Sequence, residues 1–331
     1  MDPVTQGLLG AAAAQAVLGR RLGKRAWLYG AVGGMAADLD VLIRSAEDPL
    51  VAWRFHRHFT HSLAFIPVGG ALASLPWVLR KRFADVRREI VLATTAGYAT
   101  HALLDAFTSY GTMLWWPFSD ARVAWSAVAI VDPIYTGILA IGVVLAARKV
   151  SMRPARIALL LSSLYLVFGF VQRSRALEAT RQQAATRGHE IERIDAFPSP
   201  PTNLVWRTVY LSDGRVWVHQ VRAPWWSPAV LRPGDSVALV TEQTLPPAIA
   251  SDPETLGAFR LFQWFSRDWV AWDPNKADML GDLRYGVGEA DVHSMWGVQL
   301  RPGTLQPVAS VRADMSSALP DRWRDLLGED D

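Results

Sequence analysis

Apolar positions along this chain fall into runs of membrane length in its first half and into alternating, strand-like runs in its second. A bilayer core takes about 20 mostly apolar residues per helix, with a range of roughly 17–25. Three stretches approach that length: Ser62–Leu79 has no charge, Ser126–Ala147 has only Asp132, and Ile157–Gln172 is apolar but short. Val4–Gly19, Ala26–Ile43 and Glu89–Phe107 are weaker candidates, rich in the Ala and Gly that let helices approach closely in lipid. The pattern predicts a mostly α, multi-pass transmembrane bundle of about six helices over 1–172, a helical linker over 173–197, and a smaller β-rich or α+β extramembrane domain over 198–331.

Basic residues sharpen this expectation. Arg20, Arg21, Lys24 and Arg25 follow the first run, Arg80, Lys81, Arg82, Arg87 and Arg88 the third, and Arg148, Lys149, Arg153 and Arg156 the fifth. The intervening loops hold only Arg44, Arg54, Arg57 and Arg122. The positive-inside tendency then predicts both termini outside the cytoplasm, although Arg173, Arg175, Arg181 and Arg187 run against it. A net charge of +3 gives no reason to expect a nucleic-acid partner. The chain has no cysteine, so any metal must be held by His, Asp or Glu.

Three polar islands interrupt the apolar half: Asp38-Leu39-Asp40, His56-Arg57-His58-Phe59-Thr60-His61-Ser62, and His101-Ala102-Leu103-Leu104-Asp105. Under six spans they share one membrane face, and ionisable groups in apolar segments usually mark function. His101 and Asp105 are four apart and share a helical face, which suits one metal or a simple His–Asp hydrogen bond equally. Asp38 and Asp40 point to different sides of a regular helix, so an ordinary helix end is the plainer explanation. His56, His58 and His61 are a denser cluster, with Thr60 or Ser62 suited to cap the following helix. Imidazole and carboxylate without thiolate suit zinc, manganese or iron. Arg57 is placed either to bind a substrate phosphate or to meet a lipid headgroup or Asp40.

The arrangement Met1-Asp2-Pro3-Val4-Thr5-Gln6, Asp38-Leu39-Asp40, His56-Arg57 with Thr60-His61-Ser62, His101 with Asp105, and Val131-Asp132-Pro133 resembles the YdjM-type (DUF457) membrane-bound metal-dependent hydrolases over roughly residues 1–150. Gly281-Asp282-Leu283-Arg284-Tyr285-Gly286 looks like a motif of their longer members. The family is considered distantly similar to zinc-dependent phospholipase C and P1 nuclease. The resemblance implies metal ligands at Asp38, Asp40, His56, His61, His101 and Asp105, with Asp132 a further candidate. If the site is hydrolytic, Asp38 or Asp40 is placed to orient or deprotonate a metal-activated water and Arg57 to bind a substrate phosphate, with a divalent metal, zinc ahead of manganese or iron. Gln6 stands where many members have His, and His58 where Gly is frequent.

The expected function is a membrane-bound hydrolase cleaving a phosphoester of a lipid or envelope intermediate at the outer face of a bacterial inner membrane, with the C-terminal domain periplasmic. Its expected partners are membrane lipid and a small-molecule or lipid phosphoester. A metal or proton transporter and a metal-stabilised membrane scaffold are the rival classes. In the second half, Val205–Tyr210 and Val216–Val221 flank Ser212-Asp213-Gly214 as a hairpin, after a boundary at Pro198–Pro201. Strands are expected at Ser236–Thr241 and Val292–Leu300. Leu256–Val270 reads as an aromatic helix packed on the sheet, or as an interfacial one. His189, His219 and His293 read as ordinary surface or core histidines.

Overall fold

A computed structural model describes residues 1–45, 48, 50–276, 278–304 and 308–312. The chain divides into two compact units, Met1–Ile43 with Phe55–Gly169, and Arg44–Arg54 with Phe170–Asp331. The last residues of the domain expected over 198–331 lie outside the described set.

The first unit is helical: α1 (Pro3–Leu22), α2 (Ala26–Ala36), α4 (Ile66–Val78), α5 (Arg87–Ala106), α6 (Pro133–Lys149) and the first half of α7 (Arg153–Thr186). A short helix α3 (Val51–Phe55) precedes the histidine island. Aspartate followed by proline starts two of these helices. Asp2 accepts from the Thr5 N–H, and Asp132 from the Ile134 and Tyr135 N–H groups, satisfying donors that the first turn leaves unpaired.

Small residues set the packing of α1, α2 and α5. A β-carbon on Gly30 would lie 2.2 Å from the Gly10 carbonyl oxygen, and one on Gly97 would lie 2.1 Å from that of Gly30. Three backbones meet at Gly30, and backbone cannot yield as a flexible side chain can. Gly30→Val should therefore destabilise the unit by about 3 kcal/mol, the upper part of the usual overpacking range, read as a lowered thermal midpoint.

The six-span bundle is not what the sequence folds into. Among the described residues only α7, 34 residues long, is long and apolar enough to cross a membrane, and one further crossing is formed only if Val51–His61 and Leu63–Val78, bent by 59°, are taken as a single span. The physical reasons are local. The Ser62–Leu79 run is broken at its start, where the Ser62 hydroxyl caps a 3-10 turn at Leu63–Phe65, which leaves 13 residues for α4. The Ser126–Ala147 run spends its first residues in a loop and begins its helix only at the Asp132-Pro133 cap. Ala26–Ile43 becomes an 11-residue helix followed by a 3-10 segment at Ala37–Leu42. The sidedness inferred from six spans falls with them. On α7, Ile157, Leu160, Leu164, Val167 and Val171 are all exposed, at alternating spacings of three and four that make one apolar stripe.

The second unit contains two four-stranded antiparallel sheets: β1 (Arg193–Pro198), β2 (Val205–Ser212), β3 (Arg215–Arg222) and β4 (Val230–Ala238) in one, and β5 (Val270–Trp272), β6 (Met279–Asp282), β7 (Trp296–Leu300) and β8 (Val308–Arg312) in the other. The β2–β3 hairpin turns at Asp213 and Gly214 with φ of 51° and 70°, the left-handed pair a type I′ turn requires. A short helix α8 (Pro247–Ala250) leads to α9 (Pro253–Phe265), whose Phe259, Phe262 and Phe265 are buried, with Trp53 packed on the last two. The aromatic face of α9 is thus spent inside the unit. Asp282 and Arg284 of the glycine-bounded motif form a fully buried ion pair at 2.7 Å, which gives that motif a structural part.

His219 on β3 is buried, and its Nδ1 accepts the Gly234 N–H at 3.1 Å, which fixes a neutral ring. Burial, with the Arg187 charge added, pushes its pKa down to about 4. The unfolded chain takes up this proton near pH 6.5 while the folded chain does not. Stability is therefore full above that pH and should fall by about 3 kcal/mol between roughly pH 6.5 and 4. His219→Gln should flatten this slope in thermal melts taken across that range.

Candidate metal centre

Three segments of the first unit bring the polar islands together. The 3-10 segment Ala37–Leu42 carries Asp38 and Asp40, the turn at Phe59–His61 carries His61, and the last turns of α5 carry His101 and Asp105. One oxygen of Asp38, one of Asp105 and the Nε2 atoms of His61 and His101 converge. The two imidazole nitrogens are 2.9 Å apart. They lie 3.5 and 3.3 Å from Asp38 Oδ1, and 3.3 and 3.4 Å from Asp105 Oδ2. A tetrahedral ion with bonds of about 2.0–2.1 Å has ligand–ligand edges of roughly 3.3–3.4 Å. The four imidazole–carboxylate edges match, while the edge between the two imidazole nitrogens, at 2.9 Å, is shorter.

The tautomers make the fit chemical as well as geometric. His101 Nδ1 lies 2.5 Å from the Gly34 carbonyl oxygen, which can only accept, so this nitrogen carries the proton and Nε2 presents its lone pair. His61 Nδ1 lies 3.2 Å from Asp40 Oδ2, which directs its Nε2 lone pair to the same point. With both Nδ1 atoms facing acceptors, the two Nε2 atoms face each other and two carboxylates, an arrangement satisfied by a proton on a ring or by a metal cation between them. Burial would raise the pKa of Asp38, but hydrogen bonds from His101 and His61 outweigh it and hold the carboxyl well below its usual range. For Asp105 the Arg57 charge and the Met1 amine outweigh burial in the same direction. For His101 burial lowers the pKa, and bonds to Asp105 and Asp38 more than reverse it. The cluster is a negative well lined by imidazoles.

Asp40 sits differently. Its Oδ1 meets His56 Nδ1 at 2.8 Å, and its Oδ2 accepts from the Arg57 N–H at 2.8 Å and the Thr60 hydroxyl at 3.0 Å as well as facing His61. Burial raises its pKa, but bonds to His56 and His61 prevail and keep it ionised. Asp38, Asp40 and His56 also form a second, overlapping group with metal-compatible spacing. With both oxygens of Asp40 already engaged, its plainest action is to orient the two histidines. Asp40→Asn should weaken metal binding about 10–100-fold without abolishing it, since it removes a partner of a ligand and not the ligand. A competition titration against a chelator reads this.

Arg57 adopts φ of 60°, unusual for a residue with a side chain, and this aims its N–H at Asp40. Its side chain is buried, with Nε 3.1 Å from Asp105 Oδ2, Nη1 donating to the Thr108 hydroxyl, and the guanidinium over the Tyr110 ring. Of the partners expected for it, Asp40 is met by its backbone N–H and not by the side chain, which is spent on Asp105 and Thr108. His58 lies apart among Phe55, Phe59 and Trp116. Asp132 caps α6 and accepts from the Tyr165 hydroxyl, away from the cluster. Sequence reasoning undervalued Gln6, whose amide donates to Asp105 Oδ1 at 2.9 Å.

A helical unit whose buried His and Asp side chains converge with metal-ligand spacing defines a candidate metal-binding protein. Residues 1–176 match the YdjM inner membrane protein family, and the chain belongs to that family. No curated protein and no solved structure matches it. Membership associates the protein with the inner membrane, in keeping with the uncovered apolar stripe of α7.

Proposed function

We propose that the protein is a membrane-bound metal-dependent hydrolase that cleaves a phosphoester, with Asp38, His61, His101 and Asp105 holding a divalent cation. The observation that carries this reading is the convergence of four donor atoms at tetrahedral spacing. Two imidazoles and two carboxylates without thiolate favour zinc, with manganese and iron as alternatives. A cation bound there supplies Lewis acidity toward a phosphoryl oxygen and lowers the pKa of bound water.

The chain's own residues divide the remaining work. Asp40 fixes His61 through Nδ1 and His56 through its own Nδ1. The His56 side chain is 24% exposed, and its Nε2 makes no hydrogen bond among the described residues, so it is free to take or deliver a proton beside the cluster. Arg57 holds Asp105 in place by charge. Asp38 is 22% exposed at its side chain, which leaves the cluster accessible from solvent. Four protein donors close a tetrahedral shell, as at a structural site, so turnover requires the partly exposed Asp38 to yield its place to water or the shell to expand to five.

The test is hydrolysis of a chromogenic phosphodiester and of a phospholipid by the detergent-purified chain, before and after chelation. Turnover lost with the metal and restored by zinc or manganese supports the reading. A fully metal-loaded chain with no turnover on any phosphoester tried would leave only a scaffold or transport part for the metal.

A further inference from the structure

At the other end of the same helices lies a cavity of about 530 Å³ that has no part in the metal chemistry. Its wall is made by the C-terminal end of α1, the start of α2, the end of α4 and the segment before α5. At 1.5 Å per residue, the fifteen residues from Gln6 to Arg21 along α1 put it about 20 Å from the metal cluster. We infer that this cavity binds an anionic phospholipid, with the headgroup phosphate among Arg21, Arg25 and Arg82 and the upper acyl chain over Tyr29, Trp77 and Phe83.

Charge argues for the anion. Three guanidiniums from three separate segments face the cavity, no acidic residue lines it, and none of the three is paired with a carboxylate among the described residues. Arg82 instead lies over the Phe83 ring at 4.7 Å, an arrangement that leaves its N–H edge available. Guanidinium forks match phosphate oxygens, so three of them around one cavity form a phosphate-binding rim.

A second observation comes from Tyr29. The residue is 4% exposed, and its hydroxyl makes no hydrogen bond to the described residues. Buried tyrosines usually place their O–H on a partner, and this one lines the cavity. Its ring is locked edge-on to Trp77 at 5.0 Å, so the hydroxyl is held in position.

The lining also selects among anions. The rest of the wall is aromatic and aliphatic, which adds nothing to the arginines' hold on inorganic phosphate but suits the glycerol and first methylenes of a lipid. A volume near 530 Å³ falls within the range of about 300–1,000 Å³ common for ligand sites. Membership of an inner-membrane family puts such a lipid within reach.

The experiment titrates the detergent-purified full chain with short-chain phosphatidylglycerol and phosphatidylcholine, counting bound lipid by native mass spectrometry. Phosphatidylglycerol should bind much more tightly. Replacing Arg21, Arg25 and Arg82 together by Gln should erase the preference, about fivefold per guanidinium and roughly a hundredfold in all. Tyr29→Phe should cause a smaller loss of a few fold. Unchanged metal content in these variants shows that they remain folded, because the metal cluster lies at the far end of the helices. Equal binding of the two lipids, or a triple variant that binds phosphatidylglycerol like the parent chain, overturns the inference. So does complete displacement by millimolar inorganic phosphate, which would make this a free-phosphate site.

Discussion

His61→Ala is expected to release the metal. Binding free energies at four-ligand zinc sites run to about 10–16 kcal/mol, so one donor is worth about 3–4 kcal/mol, or several hundredfold in Kd. The substitution also strands neighbours. Asp40 Oδ2 loses one of the groups facing it, and the His101 lone pair is left facing two carboxylates with nothing opposite. His101→Ala should behave alike and further remove the ring N–H from the Gly34 carbonyl. Isothermal titration of the apo variants with zinc measures the loss. The helical fold should survive, because α1, α2 and α5 are held by glycine contacts that neither histidine supplies.

His56→Gln is expected to separate binding from chemistry. The residue hydrogen-bonds to the cluster through Asp40 and lies edge-on to the His61 ring, and Gln can still donate to Asp40 Oδ1. Metal content should therefore stay near that of the parent chain, while kcat on a phosphodiester falls about 10²–10⁴-fold, the usual contribution of a positioned acid or base. Loss of the metal along with the activity would instead make His56 a ligand, in line with the second group of Asp38, Asp40 and His56. Steady-state kinetics with elemental analysis on the same sample distinguishes these outcomes.

The site was more legible in the sequence than the fold around it. His101 and Asp105 could be placed on one face because four residues make about one helical turn, and α5 carries them so. The separate functions of Asp40 and His56 were not legible, because they depend on which oxygen meets which ring nitrogen across loops 16 residues apart. The apolar runs misled for a related reason. Hydropathy sums over residues and takes no account of where a cap falls, so Ser62 and Asp132 cut two apparent spans short. In α1, alanines and glycines that suit lipid are equally suited to backbone contact with α2, and Gly10 and Gly30 are used that way. Conversely, the Ile157–Gln172 run and the charged stretch after it form one helix, because no residue between them breaks the hydrogen-bond ladder. The β2–β3 hairpin was readable from Asp213-Gly214 alone, since the turn conformation is a local property of those two residues.

The central claim is that four named atoms hold one cation. The most direct measurement is an anomalous-difference map at the zinc edge from crystals of the full chain grown with zinc. The predicted result is one peak about 2.0–2.2 Å from Asp38 Oδ1, His61 Nε2, His101 Nε2 and Asp105 Oδ2. A map with no peak among these four atoms, or with its zinc bound elsewhere on the chain, would contradict it.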